Sequence, residues 1–308
     1  MNHNAHKHKE NSSKDTSSNR LLITIFLNLI ITIGEFVGGI ISGSLALMSD
    51  ALHNAGDTFS IALSFIAKKV AGREATNQKT FGYKRIEILS ALFNATTLLA
   101  IAIFLISEAI ERIQEPKAIE SGIMLWVAVI GLVANLIGAV LLHQHSHSSL
   151  NIKSAYLHLI GDTISSIAVI VGAILIQWLG IIWIDPAITI FVSIYLIIES
   201  WKIIKQSTNI LMQAAPDEIQ IDHIKNYIKK YSQIRDIHHI HLWNLDDKTI
   251  FLEAHLLFND DLPLSSVDKI RNQIELELKA NFGINHLTLQ SECLTCSNPA
   301  LSDDNHVH

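Results

Sequence analysis

Leu47-Met48-Ser49-Asp50-Ala51-Leu52-His53-Asn54-Ala55-Gly56-Asp57 and Ala155-Tyr156-Leu157-His158-Leu159-Ile160-Gly161-Asp162 are two apolar stretches interrupted by ionisable residues at one spacing. In each, a histidine precedes an aspartate by four positions: His53 with Asp57, and His158 with Asp162. On a helix that spacing puts both side chains on one face, about one turn apart. A single pair reads equally well as an internal hydrogen bond that holds a helix bundle together. Two pairs on two separate segments read as matched half-sites. An Asp at the middle of a membrane helix costs about 2.5–3.5 kcal/mol to insert, so Asp57 and Asp162 together need about 5–7 kcal/mol of compensation. Two imidazoles and two carboxylates are a full tetrahedral set for zinc, which takes N and O donors at about 2.0–2.2 Å. Asp50, three residues before His53, reads as an accessory acid or proton relay. Glu35 lies among Gly34, Gly38, Gly39 and Gly43, whose small size fits close helix packing; no role is assigned to it.

The flanking sequence makes these segments membrane spans. Leu21–Gly34, Ile88–Ser107, Ser121–Leu142 and Thr163–Ile184 contain no charged residue, and charged residues are only 17% of the 308. About 20 apolar residues suffice to cross a hydrocarbon core, which excludes a purely soluble protein. Six spans are expected near 21–43, 46–67, 86–107, 122–142, 154–178 and 183–203. Lys68, Lys69, Arg73, Lys79, Lys84 and Arg85 lie between spans two and three, whereas Arg112 and Lys117 between spans three and four are outnumbered by glutamates. The positive-inside rule then turns the even-numbered loops and both termini to the cytoplasm. Span two runs outside to inside and span five inside to outside, so their His–Asp pairs can meet. A net charge of −6 without a basic stripe argues against a nucleic-acid partner.

From about Ser207 the composition becomes that of a soluble domain. Asp217–Tyr231 and Leu264–Asn281 read as helices, and Asp236–Leu245, Thr249–Phe258 and Ile284–Gln290 as strands. The order α-β-β-α-β predicts a small α+β sandwich with helices on one face of a sheet. The expected domains are a His-rich tail at 1–19, a transmembrane domain at 20–206, this domain at 207–296, and a polar tail at 297–308. The tails carry His3, His6, His8, His306 and His308. With His143, His145 and His147 between spans four and five, they form histidine-rich pieces of the kind that binds metal weakly.

Gly43-Ser44-Leu45-Ala46-Leu47 followed by Asp50, His53 and Asp57 resembles the cation diffusion facilitator family. So do Phe81-Gly82-Tyr83-Lys84-Arg85-Ile86-Glu87, His158-x3-Asp162, Ile237-His238-His239-Ile240-His241-Leu242-Trp243 and Ala254-His255-Leu256, in that order, over roughly residues 20–296. The resemblance implies a homodimeric six-helix membrane transporter with a cytoplasmic ferredoxin-like, metallochaperone-like α+β domain. It implies export of a divalent metal in exchange for protons, with transport ligands at His53, Asp57, His158 and Asp162. The His-Asp/His-Asp form resembles the zinc branch, which also takes cadmium or cobalt. Two departures stand out. Ala75–Tyr83 lacks any carboxylate or imidazole, so the additional metal site some relatives hold there is expected to be absent. Met212 occupies the position of an acid that in some relatives pairs with a base near Arg85 to lock the dimer.

In the tail domain, His238 and His255 fall on adjacent expected strands, and Glu292 and Cys293 follow the last one. By resemblance, His238, His255 and Glu292 match a regulatory metal site, with His241 nearby. Cys293 and Cys296 form a C-x2-C, which in a reducing cytosol points to metal or redox chemistry. His239 and His286 read as surface histidines.

The expected function is a multi-pass inner-membrane antiporter, in contact with lipid, whose partners are divalent metal ions, protons and a second copy of the chain. Zn2+ is its cargo and regulatory ligand. Two other function classes compete with this reading. A histidine-rich, desaturase-like membrane metalloenzyme needs ordered histidine clusters near the cytoplasmic face, and a non-transporting zinc sensor would bind zinc without flux. H-E-x-x-H is absent, which removes an intramembrane zinc protease.

Overall fold

The computed structural model describes residues 28–143 and 150–293, without the side chains of 141–143, 150–155, 157 and 158. They divide into two compact units: residues to Phe65 with Phe93–Ile204, and Ile66–Leu92 with residues from Lys205.

The first unit is helical. Its helices are α1 (Asn28–Ser42), α2 (Leu45–Ala71), α3 (Ile86–Gln114), α4 (Ser121–His143), α5 (Leu150–Leu179) and α6 (Ile184–Leu211), with the ends of α2, α3 and α6 running into the second unit. Among the described residues, four helical stretches are long and apolar enough to cross a membrane: Ile86–Gln114, Ser121–Val140, Leu159–Leu179 and Ile184–Leu211. Asp50, His53, Asn54 and Asp57 interrupt the apolar run of α2. The burial pattern is inverted relative to a protein in water. Glu35, Asp50, Asn54, Asn135, Asp162 and Asp185 are buried, while Phe65, Phe104, Ile130, Ile164 and Phe191 are exposed. Such a distribution suits a hydrocarbon solvent, in which polar groups turn inward.

Small residues let the helices approach. Ala46, Leu47, Met124, Ala128, Val169, Ala173 and Ile176 form one buried cluster of α2, α4 and α5. A Cβ on Gly39 would lie 2.6 Å from Met48 Cγ, and one on Gly38 2.7 Å from Val127. Gly34 has no such neighbour, while Gly43 takes φ 71° and a Cβ there would lie 3.2 Å from Ala118 O; the close helix packing of the run is at Gly38 and Gly39.

The start of α2 is held by a side chain the sequence reading passed over. Asp185, 0% exposed, accepts hydrogen bonds from Leu45 N–H (2.8 Å), Ala46 N–H (3.1 Å) and the Ser44 hydroxyl (2.5 Å). A carboxylate at a helix N-terminus satisfies unpaired N–H groups and the helix dipole together. Asp185 also lies just after the turn joining α5 to α6, so α2 begins near where α5 ends and the two run antiparallel.

In the second unit, α7 (Ile221–Ile228), β1 (Ile234–Asn244), β2 (Ile250–Phe258), α8 (Leu264–Phe282) and β3 (His286–Cys293) follow the expected α-β-β-α-β order. The sheet order is β1-β2-β3, with β1/β2 antiparallel and β2/β3 parallel. Leu252, Ala254 and Leu256 of β2 pack with Ile224, Ile228, Ile274 and Leu278 in the core. Two boundaries differ from expectation. Turns at Pro216–Ile219 and Lys229–Tyr231 shorten α7. Glu292 and Cys293 do not follow the last strand but end it, because parallel pairing with β2 continues to Leu257↔Glu292 and Phe258↔Cys293.

Candidate metal sites

The best-defined donor cluster is on the sheet. Antiparallel register sets His238 directly opposite His255, and parallel register sets Glu292 beside them. Glu292 bridges the two rings: its Oε2 is 3.1 Å from His238 Nε2 and its Oε1 2.7 Å from His255 Nδ1. One ligand atom from each residue lies within 4.8 Å of the others. Among the described residues this is the one group of three donors with that spacing. Two imidazoles and a carboxylate leave a fourth tetrahedral position for water or another ligand. Cys293 is not in the group. Successive strand residues point to opposite faces, so a strand that turns Glu292 toward the histidines turns Cys293 away. Cys296 lies outside the described residues.

His239 is exposed, as expected of a surface histidine, but the strand is irregular around it. Strict alternation would send His238 and His239 to opposite faces. The β1–β2 register instead shifts between His238 and His241, and His239 adopts φ 51°, a left-handed backbone rare for a non-glycine residue. This brings the His239 ring within 4.8 Å of both His241 and His255. Desolvation, then the neighbouring His255 and His241, hold the His239 imidazole below the ordinary histidine pKa. The signal in the sequence was the run of three histidines in four positions, which a regular strand could not place together.

In the helical unit, His53 Nε2 and Asp57 Oδ2 are 3.6 Å apart on α2, too far for a good hydrogen bond. Asp162 on α5 is buried, and its carboxylate lies within electrostatic reach of Asp50 and Asp57. Ser165 on α5 donates a hydrogen bond to Asp50 on α2, joining the two helices directly. That bond sets a register for an antiparallel pair. Three residues onward along α2 and three back along α5 bring His53 level with Asp162. Seven residues in the same directions bring Asp57 level with the backbone position of His158. The His158 side chain is outside the described residues, as are the side chain of His143 and all of His145, His147 and the two tails.

The Ala75–Tyr83 segment contributes no donor. Thr76 and Lys79 close it through paired backbone hydrogen bonds (3.1 and 3.0 Å), and Lys79 lies over the Tyr83 ring. Its Phe81 makes an edge-on contact with Phe251 of the tail domain, and the adjoining Lys84 places Nζ 3.8 Å from Asp246 Oδ2. Desolvation opposes the Asp246 charge, but the N–H groups of Lys248 and Thr249, with Lys84, outweigh it and hold this carboxylate below its usual range. Met212 therefore does not leave this region without an ion pair; Lys84–Asp246 provides one within the chain.

Two family models match. The cation efflux transmembrane domain covers residues 21–212, and the cytoplasmic domain of cation efflux proteins covers residues 216–293. A cadmium, cobalt and zinc/H(+)-K(+) antiporter of Bacillus subtilis is 37% identical, over 93% of this chain and 91% of its own length. The metal cation efflux system protein CzcD of Cupriavidus metallidurans is 35% identical over 94% and 90%. The zinc transporter ZitB of Escherichia coli is 34% identical over 96% and 95%.

Proposed function

The chain belongs to the cation efflux family, and from that premise we propose that it exports zinc, with cadmium and cobalt as alternative cargo, in exchange for protons. The observation that carries the site assignment is the Asp50–Ser165 bond between antiparallel α2 and α5. Its register supports setting His53 against Asp162 and Asp57 against His158. Four donors of this type form one tetrahedral site for a divalent ion.

In this reading all six helices cross the membrane, with the tail domain and both termini cytoplasmic, as the clustering of lysine and arginine between α2 and α3 supports. Zinc arriving from the cytoplasm binds neutral imidazoles and ionised carboxylates, and so displaces protons. The two carboxylates balance the dication, which lowers the cost of carrying it through a low-dielectric bundle. In the outward-facing form, protons compete for the same four groups and release the metal. Imidazoles, whose ordinary pKa is near 6.5, make that competition effective near neutral pH. The chain works as a homodimer. Zinc at His238, His255 and Glu292 favours one arrangement of the tail domains and so adjusts the rate. Nothing in the family match supports the oxygenase alternative.

The test is zinc flux in proteoliposomes with an imposed pH gradient. Wild-type protein is expected to exchange zinc for protons, and His158→Ala or Asp162→Ala to lose that exchange while remaining folded. Undiminished exchange by either variant refutes the site. Zinc binding without flux in the wild type returns the sensor reading.

A further inference from the structure

A cavity of about 290 Å3 lies within the second compact unit, at the membrane ends of α3 and α6. Its walls are the loop before α3, the first turn of α3, Gln213 just beyond α6, and Trp243 and Leu245 near the end of β1. Three cations line it, Lys79, Lys84 and Arg85, and no acid does. Asp246 partly satisfies Lys84, at 3.8 Å. Glu87, in the first turn of α3, is exposed and is not part of the wall. Lys79 Nζ lies over the Tyr83 ring, 4.4 Å from its centre, and forms no ion pair among the described residues. Arg85 Nε is shielded from solvent and has no hydrogen-bond partner among the described residues. A shielded donor left unpaired costs free energy. Arg85 also directly precedes α3, whose positive dipole end favours an anion over a cation. The field in the cavity therefore favours an anion.

The apolar part of the wall says which anion. Leu89, 47% exposed, and Phe81, 58% exposed, belong to the same cavity. Both α3 and α6 are long and apolar enough to cross a membrane, so the cavity stands at the level where their spans end. A small free anion gains nothing from an apolar rim. An amphipathic anion does, with its phosphate against the cations and its acyl chains along α3. Guanidinium and ammonium groups both suit phosphate oxygens. Tyrosine and tryptophan, apolar in body and polar at one end, are side chains of the headgroup level. Basic pockets beside membrane helices bind anionic headgroups. The volume is near the lower end for small-ligand sites, which suits a headgroup and leaves the chains outside.

We propose that Lys79, Lys84 and Arg85, with Tyr83 and Trp243, hold the phosphate headgroup of an anionic membrane phospholipid. The site deepens the transporter reading and rests on it for α3 and α6 crossing the membrane with this loop on the cytoplasmic side. A headgroup in the cavity meets the start of α3 and the tail domain at once. Trp243 is on β1, the strand that carries His238, so the lipid bound here bears on the domain that holds the regulatory cluster.

The experiment uses full-length purified protein in a nonionic detergent. Equilibrium binding of radioactive dioleoylphosphatidylglycerol in mixed micelles is the probe, with unlabelled phosphatidylglycerol, dioleoylphosphatidylcholine and inorganic phosphate as competitors. Wild-type protein is expected to bind the probe saturably and stoichiometrically. Phosphatidylcholine and inorganic phosphate are expected to displace it at least tenfold less well than unlabelled phosphatidylglycerol. Arg85→Gln and Lys79→Gln are each expected to weaken binding at least tenfold. Lys79 is exposed, so Lys79→Gln stands alone should Arg85→Gln fail to fold. Arg73→Gln removes a charge from the same loop outside the cavity and is expected to leave binding unchanged. Equal weakening by Arg73→Gln and the cavity variants reduces the effect to general attraction for anionic lipid and overturns the proposal. Displacement by phosphatidylcholine or inorganic phosphate as complete as by phosphatidylglycerol also overturns it. Selective binding by a protein that moves no zinc supports this site and refutes the transporter reading, whereas zinc–proton exchange without selective binding overturns this site alone.

Discussion

Asp185→Asn tests how α2 is held in place. The wild-type carboxylate divides its work: Oδ2 accepts from Leu45 N–H, and Oδ1 accepts from Ala46 N–H and the Ser44 hydroxyl. An amide keeps one oxygen and presents an NH2 group where the other was, so at least one backbone N–H meets a donor. A lost charge-assisted hydrogen bond costs about 1.5–3 kcal/mol. The favourable charge at the helix N-terminus adds up to about 2 kcal/mol in a buried setting. Together these predict a loss of about 2–5 kcal/mol. For units of 150–250 residues, 1 kcal/mol shifts the melting temperature by about 2–4 °C, so a fall of about 10 °C is expected. The assay is thermal unfolding of the full-length protein in detergent, with zinc flux measured in parallel, because His53 and Asp57 ride on this helix. Ser44→Ala leaves the charge but removes both the donor to Asp185 and the hydroxyl that accepts from Leu47 N–H at 3.1 Å, and is expected to cost about 0.5–2 kcal/mol. A variant Asp185→Asn that melts within about 2 °C of wild type and transports normally refutes the capping role.

Glu292→Ala removes the carboxylate that bridges His238 and His255; calorimetry is expected to show one fewer zinc bound per chain, with the flux site retained. Gly39→Ala puts a methyl group 2.6 Å from Met48 Cγ and 3.0 Å from Met48 N. Backbone cannot yield as a side chain does, and the overpacking is expected to cost about 1–3 kcal/mol in the same thermal assay. The Asp246 carboxylate has a depressed pKa in the folded protein. Its contribution is therefore complete above the ordinary aspartate pKa of about 3.9 and is lost as pH falls through the lower folded value. Fluorescence of Trp243, stacked on Phe251 beside Phe81, is expected to report this acid transition, and Lys84→Ala to weaken it.

Helix positions were legible because uncharged runs of about 20 residues have few alternatives. The tail domain was legible because Ile250, Leu252, Ala254 and Leu256 alternate with Phe251, Glu253 and His255. What escaped depends on contacts between distant residues. Asp185 gave only a weak local sign, an acid in the first turn of a helix next to Pro186. Its partners, Ser44 to Ala46, are about 140 positions away. The His239 irregularity breaks the periodicity by which strands are recognised, so no alternation pattern could mark it. Glu292 and Cys293 lie within β3 because register with β2 carries the ladder to them, and nothing local marks where such pairing stops. Glu35 was visible as an intramembrane acid, but its relation to Asn54 and Gly131 depends on how three helices pack.

The spacing of four within each His–Asp pair invites the view that each pair is self-contained. On α2, His53 and Asp57 lie 3.6 Å apart, within ion-pair reach. In the register set by Asp50 and Ser165, His53 also comes level with Asp162, and the backbone position of His158 with Asp57. A swap separates the two views. His53→Asp combined with Asp162→His keeps two imidazoles and two carboxylates but gathers the imidazoles on α5 and the carboxylates on α2. If the four groups share one ion, the donor set is conserved and only the positions exchange. Zinc binding in the double variant is then expected to exceed that of either single variant at least tenfold, a difference of about 1.4 kcal/mol. If each helix keeps its own His–Asp couple, the swap breaks both couples and the double variant binds no better than the weaker single one. Isothermal titration with a tail domain silenced by Glu292→Ala reads the difference, and additive losses across the cycle reject the shared site.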